Sequence, residues 1–157
     1  MAEFRNGLFH YTGSGLSNVW LENGYEVKET PYGEGVAVHD VDGLHRAIGH
    51  FLVHHKDHLS GEEVRFLRKE MDLPQNQLAA LLKVSLDTLR GWENNRTPIT
   101  GPADELLRAY YTEAVSEDPA TRIRERLKHI AELNREIHAE TLEFEETESG
   151  WEPAIAA

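Results

Sequence analysis

The chain has 157 residues, with 28 Asp+Glu against 16 Lys+Arg, nine His, no Cys and a formal net charge of -12. That length fits one domain or two small ones, and 39% apolar content is enough to build a core. A chain without cysteine has no disulfides, zinc ribbons or thiol chemistry; its apolar runs are too short to span a membrane, and Met1 to Tyr11 lacks the apolar stretch of a secretory signal, so the expected location is cytoplasmic.

Residues 1–58, 59–112 and 113–157 carry net charges of -4, -1 and -7. A nearly neutral middle between acidic flanks leaves room for a locally basic surface.

Residues 1–15, with Gly7, Gly13, Ser14 and Gly15, show no sustained period and read as a mobile N-terminal lead. Asn23-Gly24 between β-prone runs predicts a hairpin in which Trp20 faces Val27 and Glu22 faces Tyr25. Pro31 to Gly35 predicts a second turn into Val36-Ala37-Val38, hence a three-stranded antiparallel sheet packed through Trp20, Tyr25, Val27 and Val36. Asp40 or Asp42 is placed to cap a helix to about His55, whose Val41, Leu44, Ile48, Phe51 and Leu52 would cover that sheet. Residues 16–58 are therefore expected to form one small unit of sheet plus helix.

Ser60-Gly61-Glu62-Glu63 has the form of a capping box and predicts a helix to Met71, closed by Leu73-Pro74. Short helices follow from Gln75 to Leu82 and from Ser85 to Trp92 or Glu93, then a break from Asn94 to Gly101 and a helix from Pro102 to about Val115. From 116 to 157 an acidic helix and tail are expected, capped by Asp118-Pro119 and uninterrupted to Gly150. Its Ile123, Leu127, Ile130, Asn134, Ile137, Thr141 and Phe144 alternate four and three apart, the spacing of a dimerising stripe.

The stretch Gln75 to Glu93 has the layout of a helix-turn-helix. Ala79 is small where two helices would cross, and Leu78, Leu82, Val84, Leu89 and Trp92 converge on one core. The outward face of the second helix offers Ser85, Asp87, Thr88 and Arg90 to base edges, with Leu86 available to a thymine methyl.

Gln75, Leu78, Ala79, Leu82, Val84, Ser85, Thr88, Trp92, Glu93 and Pro98 match the pattern of Cro/repressor-type (Xre-like) helix-turn-helix regulators, which residues 60–111 resemble. The order of β-rich unit, linking helix and motif further resembles the antitoxin-like MqsA/HigA group, without its zinc-binding cysteines. The resemblance implies a lambda-repressor-like domain within an α+β, mostly α fold. It implies base reading by Ser85, Leu86, Asp87, Thr88 and Arg90, and phosphate contacts from Gln75, Lys83 and Arg96. A homodimer on an inverted-repeat operator, held together by the stripe Ile123, Leu127, Ile130, Asn134 and Ile137, is the expected assembly of a repressor. An antitoxin-like interaction protein that neutralises a toxin is the alternative. Gly91 stands where relatives often carry Arg or Lys, and Asp87 where an amide or a base is usual.

Other readings of the same residues compete with these. Helix pairs with Ala at a crossing also build packing units that bind no nucleic acid. His50, His54 and His58 share a helix face at metal-ligand spacing, yet no Cys or well-placed carboxylate completes the set, so no metal and no cofactor is expected. Asp40, Asp42, Glu62 and Glu63 sit where helix starts prefer acid, and no nucleophile-base-orienter set suggests an enzyme. The C-terminal helix is either a dimerising or partner-binding arm or a solvated helix docked on its own domain.

Overall fold

The computed structural model describes residues 2–116 and 141–154. Among these it is a mixed α+β protein of two compact units, one holding residues 2–48 and 141–154, the other residues 49–116.

The first unit is built on a five-stranded sheet ordered β1-β2-β3-β6-β7: β1 (Phe4–Arg5), β2 (Leu8–His10), β3 (Val19–Leu21), β6 (Leu142–Thr147) and β7 (Gly150–Pro153). Every neighbouring pair is antiparallel except β3 and β6, which run parallel with Val19, Trp20 and Leu21 opposite Leu142, Glu143 and Phe144. All three residues of β3 are buried, as befits a central strand. A separate two-stranded sheet pairs β4 (Tyr25–Thr30) with β5 (Gly33–Val38) around Pro31-Tyr32.

Four expectations change here. The first fifteen residues hold two strands rather than an irregular lead, because Asn6 and Gly7, both at positive φ, fold β1 back on β2 and Phe9 is buried. The hairpin at Asn23-Gly24 does not form: Trp20 pairs with His10 and Glu143, and Tyr25 pairs with Val38. Asn23 instead receives the Glu146 backbone N–H at 2.6 Å, and Gly24, at φ +79, passes so close to the Trp151 ring that a side chain would collide with it. Accordingly the three-stranded antiparallel sheet is absent; Val27 lies 48% exposed on the small hairpin, while Trp20 is buried in the larger sheet. Residues Leu142–Pro153 form a hairpin instead of the end of a long helix, with Phe144 a buried strand residue and not a heptad position. Val19 to Leu21 needs a hydrogen-bonded neighbour on its open side, and a strand some 120 residues away supplies it. Ile123, Leu127, Ile130, Asn134 and Ile137 lie outside the described residues.

Helix α1 (Val41–His55) carries the chain from one unit to the other, the division falling after Ile48. The Asp40 side chain accepts the Gly43 N–H in its first turn, as the capping expectation has it.

The second unit is helical throughout: the latter half of α1, then α2 (Gly61–Glu70), α3 (Gln75–Leu81), α4 (Leu86–Glu93) and α5 (Gly101–Val115). Ser60 and Glu63 close a complete capping box on α2. Burial pushes the Glu63 carboxyl above the ordinary carboxylate range, opposed by the Ser60 backbone N–H, the Lys56 ammonium, the Ser60 hydroxyl and Arg108.

Arg108, on α5 and fully buried, donates to the backbone oxygens of Leu52, Val53 and Lys56 at 2.7 to 3.1 Å. Leu52 and Val53 lie in the last turn of α1 and Lys56 just beyond it, so one buried guanidinium donates to several carbonyls at this helix end. Asp104 pairs with Arg108 and also accepts the Leu59 N–H at 3.2 Å, which fixes the segment between α1 and α2 against α5. Among the described residues no helix is long and apolar enough to cross a membrane.

Candidate nucleic-acid interface

Helices α3 and α4 are joined by Leu82 to Ser85, and the turn is made by Lys83 at φ +59. Its N–H donates to Ala80 O, and that of Val84 to Ala79 O at 3.0 Å, closing α3 in one tight step. Ser85 starts α4 by accepting the Thr88 N–H at 3.1 Å. Leu78, Ala79, Leu82, Leu89 and Trp92 are buried together in this unit, as the sequence pattern requires, and Val84 is half-buried.

Two close approaches lock α4 onto α2. Gly61 leaves no room for a Cβ, which would meet the carbonyl of Trp92, Asn95 Oδ1 at 2.7 Å and Glu93 O at 2.8 Å. Its N–H is accepted by Asn95 Oδ1 at 2.9 Å, with Asn95 itself at φ +57. Beside this, Glu93 is buried and ringed by donors: Arg68 Nε at 2.6 Å, Arg68 Nη2 at 3.3 Å and Gln75 Nε2 at 2.6 Å. Arg65 Nη2 reaches the Glu93 backbone oxygen at 3.0 Å. One carboxylate therefore ties α2, α3 and α4 at a point, a role the sequence reading did not assign. The signal for it was an acid directly after a buried Trp at the end of a helix, where its carboxylate has to find a cation.

The expected DNA-facing residues fall into four kinds. Asp87 and Arg90 are exposed on α4, and Lys83 and Arg96 are exposed on the segments flanking it. Ser85 and Thr88 are also exposed, but their hydroxyls lie 2.8 Å apart and are engaged with each other in the helix cap. Leu86 is half-buried. Gln75 is engaged at both ends of its amide: it donates to Glu93, and its Oε1 accepts from Arg90 Nε at 3.4 Å.

Gly91 is buried, and a Cβ there would find only Thr97 Oγ1 at 3.6 Å, an ordinary contact. Its lack of a basic side chain makes Arg90 the cation on this face of α4. Among the described residues no three His, Asp or Glu groups are placed to hold a metal ion. His54 is buried with its ring 4.4 Å from that of His50, and His58 is exposed beyond the end of α1.

Residues 64–103, about a quarter of the chain, match a family model described as helix-turn-helix. That match runs from α2 to the start of α5 and supports the Xre-like resemblance over the same elements. No curated protein and no solved structure matches the chain. The chain thus carries a helix-turn-helix domain of the kind associated with DNA binding and transcription regulation, while the resemblance to the MqsA/HigA group gains no support beyond it.

Proposed function

We propose that the protein is a sequence-specific regulator of transcription that reads double-stranded DNA through α4. The observation that carries the reading is an exposed polar face on α4, with Asp87 and Arg90, behind which Leu89, Trp92 and Glu93 are anchored. A helix held at three points can enter a major groove as a rigid reader, so little ordering entropy is lost on binding. Arg90 and Asp87 specify, Leu86 meets a thymine methyl from the edge of the face, and Lys83 and Arg96 take phosphates on either side. With few cations on this surface, affinity falls less steeply with salt than for a basic repressor.

One short helix reads only a few base pairs, so the protein acts as a homodimer on an inverted repeat, as a repressor at that operator. Selection of bound duplexes from a random library at near-physiological salt tests the proposal. An enriched palindrome with half-sites about one helical turn apart, ~34 Å, supports a dimeric regulator; no enrichment overturns DNA reading.

A second reading, an antitoxin-like interaction protein, is favoured by the composition of the first unit. Residues 2–48 and 141–154 hold twelve acidic against three basic side chains, beside exposed Phe4, Val27 and Tyr32. Acid around exposed apolar groups suits a small basic protein partner. Co-purification of such a protein, released by high salt, supports it; a tagged chain that brings down none from its own host counts against it.

A further inference from the structure

We infer that Gln75 is a positioning residue that aims Arg90 at a guanine, an inference that rests on the DNA-binding reading above. The contacts run outward from the buried side. Glu93 is fixed by Arg68, and its Oε2 takes the Gln75 Nε2 hydrogen bond at 2.6 Å. A carboxylate only accepts, so the amide must turn its NH2 group inward and its carbonyl oxygen outward. That outward oxygen accepts Arg90 Nε at 3.4 Å, linking the first residue of α3 to the second half of α4.

The result is stereochemical. A guanidinium carries its donors in a rigid fork, and tethering Nε leaves the two Nη groups as the edge presented to the groove. Those paired N–H groups match the O6 and N7 acceptors that only guanine shows together in the major groove. An exposed arginine that is already tethered also loses less rotamer freedom when it docks. Gln75 therefore acts through Arg90 rather than on the phosphate suggested by the resemblance, its amide being engaged within the protein at both ends.

Site selection with the full chain, comparing wild type, Arg90→Ala, Gln75→Met and the double variant, tests this, with salt titrations and thermal melts run in parallel. Methionine keeps the length of glutamine and removes both polar ends. Arg90→Ala and Gln75→Met should each cut the preference for one guanine per half-site by ~10- to 100-fold at the same position. Gln75→Met should keep the wild-type salt slope, and the double variant should be no worse than Arg90→Ala alone. A Gln75→Met protein that keeps the guanine preference but weakens on all sequences alike, with a shallower salt slope, overturns the inference and makes Gln75 a phosphate contact. Should Gln75→Met fail to fold, Arg90→Lys supplies the answer at an exposed site: it keeps the charge without the fork, and retained guanine preference overturns the geometry. Wild type that enriches no sequence sinks the DNA reading itself; wild type that enriches a site without guanine dependence on Arg90 sinks only this inference.

Discussion

The Arg68 guanidinium spans both oxygens of the Glu93 carboxylate, with Nε 2.6 Å from Oε1 and Nη2 3.3 Å from Oε2. Because Glu93 is buried and Arg68 nearly so, water screens the pair little, and loss of either partner strands a charge. Glu93→Ala should cost about 3 to 5 kcal/mol of unfolding free energy, measured by urea denaturation. A loss below about 1 kcal/mol would show that solvent reaches the pair and that the network does not anchor α4.

Gly61 and Gly101 occupy the first turns of α2 and α5, with opposite surroundings. A methyl group at Gly61 would strike the Trp92 carbonyl, whereas one at Gly101 would meet nothing. Gly61→Ala should therefore destabilise by about 1 to 3 kcal/mol through overpacking. Gly101→Ala should be neutral or stabilising by up to ~1 kcal/mol, since only the entropy of the unfolded chain changes. Paired melts of the two variants check this; equal behaviour would mean that α2 can shift away from α4.

The raised Glu63 carboxyl sets a direction for stability against pH. Because the folded state holds this proton more tightly than the unfolded state, Glu63 contributes stability that is present at low pH. That contribution is lost as pH rises from the ordinary carboxylate range through the raised folded value. Glu63→Gln stays neutral and keeps an acceptor for the Ser60 N–H. The stability of wild type relative to Glu63→Gln should thus decline with rising pH across that window and then level off. Parallel curves for the two proteins would contradict it.

Phe144 distinguishes a strand from a helix in the C-terminal segment. It is 1% exposed and sits opposite Leu21 in the parallel pair of β3 and β6. Phe144→Ala should destabilise the first unit by about 3 to 5 kcal/mol, seen as loss of the near-ultraviolet signal of buried Trp20 and Trp151. Were this segment a solvated helical arm, the substitution would leave those tryptophans undisturbed.

The second unit was legible because its signals are local. Ser60 and Glu63, Ser85 and Thr88, and the stop at Leu73-Pro74 act within one helical turn. They mark α2 through α5 to within a residue or two, and the ten pattern residues from Gln75 to Pro98 locate the motif. What escaped the same reading was the engagement of Gln75, which depends on where Glu93 and Arg90 lie in space.

The first unit shows the converse. Asn23-Gly24 is a strong local turn signal, yet β3 pairs with β2 and with Leu142–Thr147, and Gly24 serves to let the chain pass Trp151. A hairpin turn contributes little free energy, while a central strand must fill both hydrogen-bonding edges and bury both faces. The long-range partners therefore prevail. Sequence alone determined the boundaries of α2 to α5, the capping box of α2 and the helix-turn-helix, whose interactions span a few residues. Tertiary structure alone decided the strand order, the burial of Arg108 at the end of α1 and the tether on Arg90, since each needs partners that are distant along the chain.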